Sequence, residues 1–271
     1  MSEWNAMTYE GKDTALRVVR QEAERMFALA EQPAAWNAPT ACENWQVKDI
    51  IGHLVDTMEG YFRSFDLARS GAPDPGAHGL GVMHEMAGDS AKAFESLTQA
   101  QMMDRARADL DKLMGILEPL TAEEWTGFMA PHAFMGPLPA FFYAGGQLMD
   151  YGVHTWDIKQ GTGQGHGMSA DAADLLVPFM FVLWQYTIKP DADLSPFTVG
   201  ISVSGRNAAS YRVSLTGEGM SYEVGNVDDL PAMIEFDPGS FVLTAFGRIN
   251  GGTVRGDEAL ADRFLNLFFR I

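Results

Sequence analysis

At 271 residues the chain suits one large domain or two modest ones, and its 46% hydrophobic and 11% aromatic content excludes wholesale disorder. A formal charge of −17 argues against nucleic acid and anionic membrane surfaces as partners, since both call for a basic face. The single cysteine, Cys42, excludes an intrachain disulfide. Residues 1–20 carry no apolar leader, and no apolar run approaches the roughly 20 residues of a membrane span, so the chain is expected to be cytoplasmic.

The first half predicts helices. From Asp13 to Glu31, Leu16, Val19, Ala23, Met26, Phe27 and Ala30 recur at helical spacing. A loop with Pro33 and Pro39 follows. A second helix is expected from Gln46 to Arg69, striped by Val47, Ile50, Leu54, Met58, Phe62 and Phe65. The Gly- and Pro-rich stretch Ser70 to Gly81 is a loop. A third helix is predicted from about Asp89 to Leu117. Thr121-Ala-Glu-Glu124 has the form of a capping box ahead of a short turn, and Phe128 to Pro139 is expected to be a loop. A fourth helix is predicted from Ala140 to Gln160, ending at the glycines that begin with Gly161. Four long helices in order suggest an up-and-down bundle.

The period then changes. One more helix, Ala170 to Thr187, precedes short alternating segments at Phe197–Ser204, Tyr211–Leu215, Ser221–Val224 and Met233–Phe236. Helices are expected at Ser240–Phe246 and Glu258–Phe269. The fold class is therefore α+β: a helical bundle over residues 1–165, then a smaller α/β domain over 166–271, with the boundary near Gly161 to Met168.

The fourth helix carries most of the chemistry. Gln147, Asp150, His154 and Asp157 fall on one helical stripe, with apolar residues on both sides. A narrow polar stripe between two apolar surfaces points into a bundle or pocket, where a carboxylate must be paired or bind metal. Asp150 and His154 are an i, i+4 pair able to reach one ion, and a carboxylate with an imidazole suits zinc or a related divalent metal. An ordinary Asp–His hydrogen bond is the alternative. His53, about 120° from the centre of its own helix's apolar stripe, is a third candidate ligand from a facing helix, or an exposed histidine.

These residues resemble a known family. Trp36-Asn-Ala-Pro39-Thr40-Ala-Cys42-Glu-Asn-Trp45, followed by Val47, Asp49 and His53, resembles the opening motif of the mycothiol-dependent maleylpyruvate isomerases, whose metal-binding bundles are DinB-like. Asp150-Tyr-Gly-Val-His154-Thr-Trp156-Asp157 resembles the second motif, with Asp150 where the family usually carries Glu. The tail from Phe236 to Phe268, with Phe246-Gly247-Arg248, is similar to the family's sterol-carrier-like C-terminal domain.

The resemblance implies a DinB-like four-helix bundle joined to a sterol-carrier-like domain, with His53, Asp150 and His154 holding Zn2+ or a related divalent ion. It implies mycothiol as cofactor or co-substrate, and a small electrophilic molecule as the other substrate. The reaction would be that of an isomerase or of a thiol S-transferase. The other reading is a non-catalytic, metal-containing small-molecule binding or carrier protein. The family's functional arginine matches Arg248, with Arg255 as the fallback and a surface salt bridge or helix cap as the plain alternative. Cys42 fits buried packing better than a nucleophile. His132 and His84 are outside candidates for a polar contact.

Overall fold

The computed structural model describes residues 3–164 and 167–271. They form two compact units, Met1–Ala172 and Ala173–Ile271. The expected division between 165 and 166 lies outside the described residues; the units part near the start of a helix, Ala170–Tyr186.

The first unit is built on α1 (Lys12–Ala30), α2 (Val47–Ser70), α4 (Gln99–Leu117) and α6 (Phe141–Gly161). α1 packs on α6, and α2 packs on both α4 and α6. Each buries the face its apolar spacing predicts: Val19, Met26 and Phe27 from α1; Ile50, Leu54 and Phe65 from α2; Leu113 and Leu117 from α4. Short α5 (Ala122–Gly127) follows the expected capping box: Thr121 accepts from the Glu124 N–H, and Glu124 accepts in return from the Thr121 N–H.

Two expectations are corrected in this unit. The single helix Asp89–Leu117 is two, α3 (Met83–Lys92) and α4. The break is written at Thr98, whose hydroxyl accepts from the Gln101 N–H at 3.3 Å while the Gln101 side chain accepts from the Thr98 N–H at 3.0 Å. That is a second capping box, and it starts α4 afresh.

The supposed loop Phe128–Pro139 is a hairpin of β1 (Met129–His132) and β2 (Gly136–Pro139). Its prolines looked like breakers. In the register Pro131 faces Pro137 and Met129 faces Pro139, so all three prolines occupy pairs of one parity. Those are the pairs that exchange no N–H bonds, where a missing donor costs nothing.

The second unit is a five-stranded sheet of order β5-β4-β3-β6-β7, from β3 (Phe197–Val203), β4 (Ala209–Thr216), β5 (Gly219–Val224), β6 (Ala232–Phe236) and β7 (Thr253–Gly256). β3 and β6 are parallel and the other pairs antiparallel. Strand β7 was not anticipated, because Gly251-Gly252 reads as a turn and the strand has only four residues. Period-2 alternation buries Val199, Ile201, Val203, Val213, Leu215, Ile234 and Phe236. This face meets α7 (Ala170–Tyr186), α8 (Pro238–Ala245) and α9 (Glu258–Leu265) through an aromatic cluster around Phe181 and Trp184. No helix among the described residues is long and apolar enough to cross a membrane.

Candidate metal centre

α2 begins at Gln46, whose N–H donates to Asp49 Oδ2 at 2.8 Å, and this cap places His53 two turns inside the helix. α6 is buried on nearly every side: Gln147, Tyr151, Gly152, Val153, His154, Thr155, Trp156 and Asp157 are all among its buried residues. The polar stripe expected on the fourth helix is therefore interior. Because α2 and α6 pack together, His53 faces Asp150 and His154.

The three expected ligands come together. Each offers a ligand atom, and these atoms all lie within 4.8 Å of one another. His53 Nε2 stands 3.8 Å from Asp150 Oδ1, and the two imidazole rings are 5.3 Å apart and nearly perpendicular. Side-chain exposure is 15% for His53, 21% for Asp150 and 10% for His154, so the group is sheltered but reachable.

Three donors about 2.1 Å from a tetrahedral ion stand roughly 3.4 Å apart. The 3.8 Å between His53 Nε2 and Asp150 Oδ1 is only slightly wider than that. Two imidazoles and a carboxylate are also a common protein ligand set for catalytic zinc. The residues fit a divalent cation by both spacing and donor chemistry.

The loop of residues 36–46 lies against this group. Pro39 bridges to Gln46, Thr40 Oγ1 donates to the Trp45 carbonyl at 2.9 Å, and the Ala41 N–H donates to the Asp157 carbonyl at 2.9 Å. Asn44 holds a positive φ of 66°, a conformation asparagine tolerates. Trp45 is thereby laid near both histidines, with ring centroids 5.3 Å from His53 and 6.1 Å from His154. Cys42 is half-buried, its Sγ 3.2 Å from Asp157 Oδ2 and 3.8 Å from His154 Nδ1.

Two more residues stand near Asp150: Tyr61, which the sequence did not single out, and His132, its outside candidate for a polar contact. Tyr61 is buried, and its hydroxyl occupies the space that a side chain at Gly146 would take. Burial, then the Asp150 charge, pushes the phenol well above its ordinary range. His132, brought by the β1–β2 hairpin, packs 6.1 Å from the Tyr61 ring. Burial lowers its pKa to about 4 against the opposing pull of Asp150, so it is neutral at pH 7. Its Nδ1 accepts from the Phe134 N–H at 3.3 Å. The signal for Tyr61 was available as a tyrosine within an apolar helix face; that for His132 was hidden by the misread hairpin. The side chain of His84 lies outside the described ones.

Residues 19–159 match the model of the mycothiol maleylpyruvate isomerase N-terminal domain, just over half of the chain. The chain belongs to that family. Among solved structures, a mycothiol-dependent maleylpyruvate isomerase aligns over 89% of this chain and 92% of its own, at 13% identity and a TM-score of 0.60. A histidine-to-alanine mutant of it aligns equally well. At that identity the likeness establishes the fold, α+β with a helical N-terminal unit and a sheet-containing C-terminal one. No curated protein matches the sequence.

Arg248 belongs to the second unit. Its Nη1 donates to the carbonyl oxygens of Phe246 and Ile271, which ties down the end of the chain. Arg255 is exposed and paired with Glu235 at 2.8 Å.

Proposed function

We propose that this protein is an enzyme that works with a low-molecular-weight thiol, mycothiol, and that His53, Asp150 and His154 hold the divalent cation, zinc or a close relative, on which it depends. The observation that carries the proposal is the 3.8 Å between His53 Nε2 and Asp150 Oδ1. That gap is too long for a hydrogen bond, between groups sheltered enough to need a partner.

Bound there, the cation supplies positive charge that stabilises a thiolate over a thiol at neutral pH. The chain's own residues shape the rest. Trp45 packs its ring beside both histidines. Tyr61 is protonated and His132 neutral, so both offer hydrogen bonds without adding charge beside Asp150. Arg248 is assigned to the second substrate's carboxylate on the strength of the family resemblance, since a guanidinium grips a carboxylate with two parallel bonds.

In an isomerase the thiolate adds to one carbon of a conjugated cis double bond, the former double bond rotates, and elimination of the same thiolate returns the trans isomer. In an S-transferase the adduct takes up a proton and is released. The carrier alternative calls for a deep apolar cavity. A cavity of about 630 Å³ in the second unit has a mixed lining, with Ser202, Ser210, Glu235 and Asp237 beside Val203 and Phe236, and is not the apolar cavity that alternative calls for.

The test is metal analysis followed by thiol titration. Protein purified without chelator carries about one divalent ion per chain. Its cobalt form develops a sulfur-to-metal charge-transfer band on adding mycothiol, and the thiol drives cis–trans conversion or adduct formation with a conjugated electrophile. Arg248→Ala keeps the band and slows turnover. No band and no turnover with mycothiol or related thiols at millimolar concentration would refute the proposal.

A further inference from the structure

The groups behind His154 are as ordered as those in front of it. Asp157 is fully buried, one helical turn beyond His154. Its Oδ2 lies 2.9 Å from His154 Nδ1 and 3.2 Å from Cys42 Sγ, and its backbone carbonyl accepts from the Ala41 N–H. An ionised carboxylate only accepts hydrogen bonds, so with Asp157 ionised the 2.9 Å contact to His154 places a proton on Nδ1. The imidazole then has its lone pair on Nε2. The thiol of Cys42 can donate to the same oxygen, which keeps that oxygen in place between loop and helix.

We infer that Asp157 and Cys42 are positioning residues of the metal centre: Asp157 fixes the His154 tautomer so that Nε2 is presented to the cation, and Cys42 anchors the Asp157 carboxylate. This rests on the reading of His53, Asp150 and His154 as ligands. Metal-bound histidines characteristically give their other N–H to a carboxylate, which orients the ring and raises its basicity. Here the carboxylate is three residues along the same helix and is itself held by the motif loop. The Cys42-containing motif and the His154-containing motif thus meet at one oxygen atom. Cys42 acts here as a neutral hydrogen-bond donor, not as a nucleophile and not as a metal ligand. The competing arrangement is a second cation held directly by Cys42, His154 and Asp157, whose ligand atoms also lie within 4.8 Å of one another.

The test begins with metal-free wild-type protein. Nitrogen-15 NMR of the histidine rings should show His154 protonated on Nδ1 and bare on Nε2. In Asp157→Asn, an isosteric change, the tautomer shifts toward protonated Nε2 and cation affinity falls about 10- to 100-fold. Cys42→Ser, which keeps a donor, stays within about threefold of wild type, whereas Cys42→Ala, which loses it, weakens the cation by more. A purely structural role for Asp157 would lower the melting temperature without moving the tautomer. Cobalt-loaded wild type with no added thiol should show one ion per chain and no thiolate band. A bare Nδ1 in the wild type, an unchanged affinity in folded Asp157→Asn, or a thiolate band without added thiol overturns the inference. Failure of the ligand reading is a different result, absence of cation binding in the wild type, while the tautomer measurement still reports on Asp157.

Discussion

Gly161→Ala tests how the motif loop is held against α6. The usual expectation for glycine in a helix is that alanine stabilises it, by up to about 1 kcal/mol. Here a Cβ at Gly161 would stand 2.3 Å from Thr40 Cα and 2.4 Å from the Pro39 carbonyl oxygen. Both are backbone atoms, so neither can rotate away, and the loop must retreat by about an ångström. Overpacking of this kind costs about 1–3 kcal/mol. The retreat also strains the hydrogen bond from the Ala41 N–H to the Asp157 carbonyl, worth about 1 kcal/mol. After offsetting the helix gain, the net loss is about 2 kcal/mol. For a unit of this size that lowers its melting temperature by roughly 4–8 °C. Calorimetry of metal-free protein checks the shift, and cation titration checks the accompanying loss of affinity as Cys42 is drawn off Asp157. An unchanged or raised melting temperature would refute the reasoning, because helix propensity would then outweigh the close approach.

Asp150→Asn should weaken cation binding at least tenfold, since a neutral amide is a poor zinc ligand, while Asp150→Glu should retain the ion; equal affinities across the series remove Asp150 from the ligand set. Gly146→Ala should destabilise by about 1–3 kcal/mol, because its Cβ would fall 2.5 Å from the Tyr61 hydroxyl. Adding Tyr61→Phe should restore most of that loss, since the ring carbon beneath the hydroxyl is 3.5 Å away, and calorimetry of the double mutant that shows no recovery would refute the contact. His132 has a pKa of about 4 in the fold against 6.5 for the free group, so the folded state binds fewer protons between those values. Its contribution is fully present above pH 6.5 and is lost as pH falls to 4, by at most about 3.5 kcal/mol at roughly 1.4 kcal/mol per unit. Denaturant unfolding of metal-free wild type and His132→Gln at pH 7.5 and 4.5 should show a smaller pH difference in the variant, and an NMR titration of His132 near 6.5 would contradict it.

What could be read from sequence follows from range. The 3.6-residue period of α1, α2 and α6 is local, and those helices appear within a residue or so of their expected ends. The break before α4 was equally local, at Thr98 and Gln101, but Phe94 and Leu97 keep apolar residues coming across it and disguise the gap. The β1–β2 hairpin was hidden because prolines in a two-stranded ladder are harmless at one parity and fatal at the other, and only the register tells which. In the site, Asp150 and His154 are one turn apart on α6 and could be paired from spacing alone. His53 joins them only because α2 packs on α6; a helical bundle made that contact an expectation and the family resemblance strengthened it, but periodicity alone could not fix it. The link from Cys42 to Asp157 spans 115 positions and runs through an irregular loop, where no period exists to be read.

The polar stripe of α6 also explains why the two carboxylates on it behave differently. Asp157 is fully buried and could not remain charged there without close partners; it has His154 Nδ1 at 2.9 Å and Cys42 Sγ at 3.2 Å, within hydrogen-bonding range for nitrogen and for sulfur. Asp150, two turns earlier, is partly exposed and faces a second imidazole at 3.8 Å, beyond hydrogen-bonding range. If the stripe served only to satisfy itself, His53 and Asp150 would gain by closing that gap, as His154 and Asp157 have done. Their side chains are close enough for it, yet the spacing stays near that of two ligands around one ion. His154 closed on Asp157, with His53 and Asp150 left apart beside it, is the arrangement expected if a cation enters among His53, Asp150 and His154, with Asp157 orienting His154.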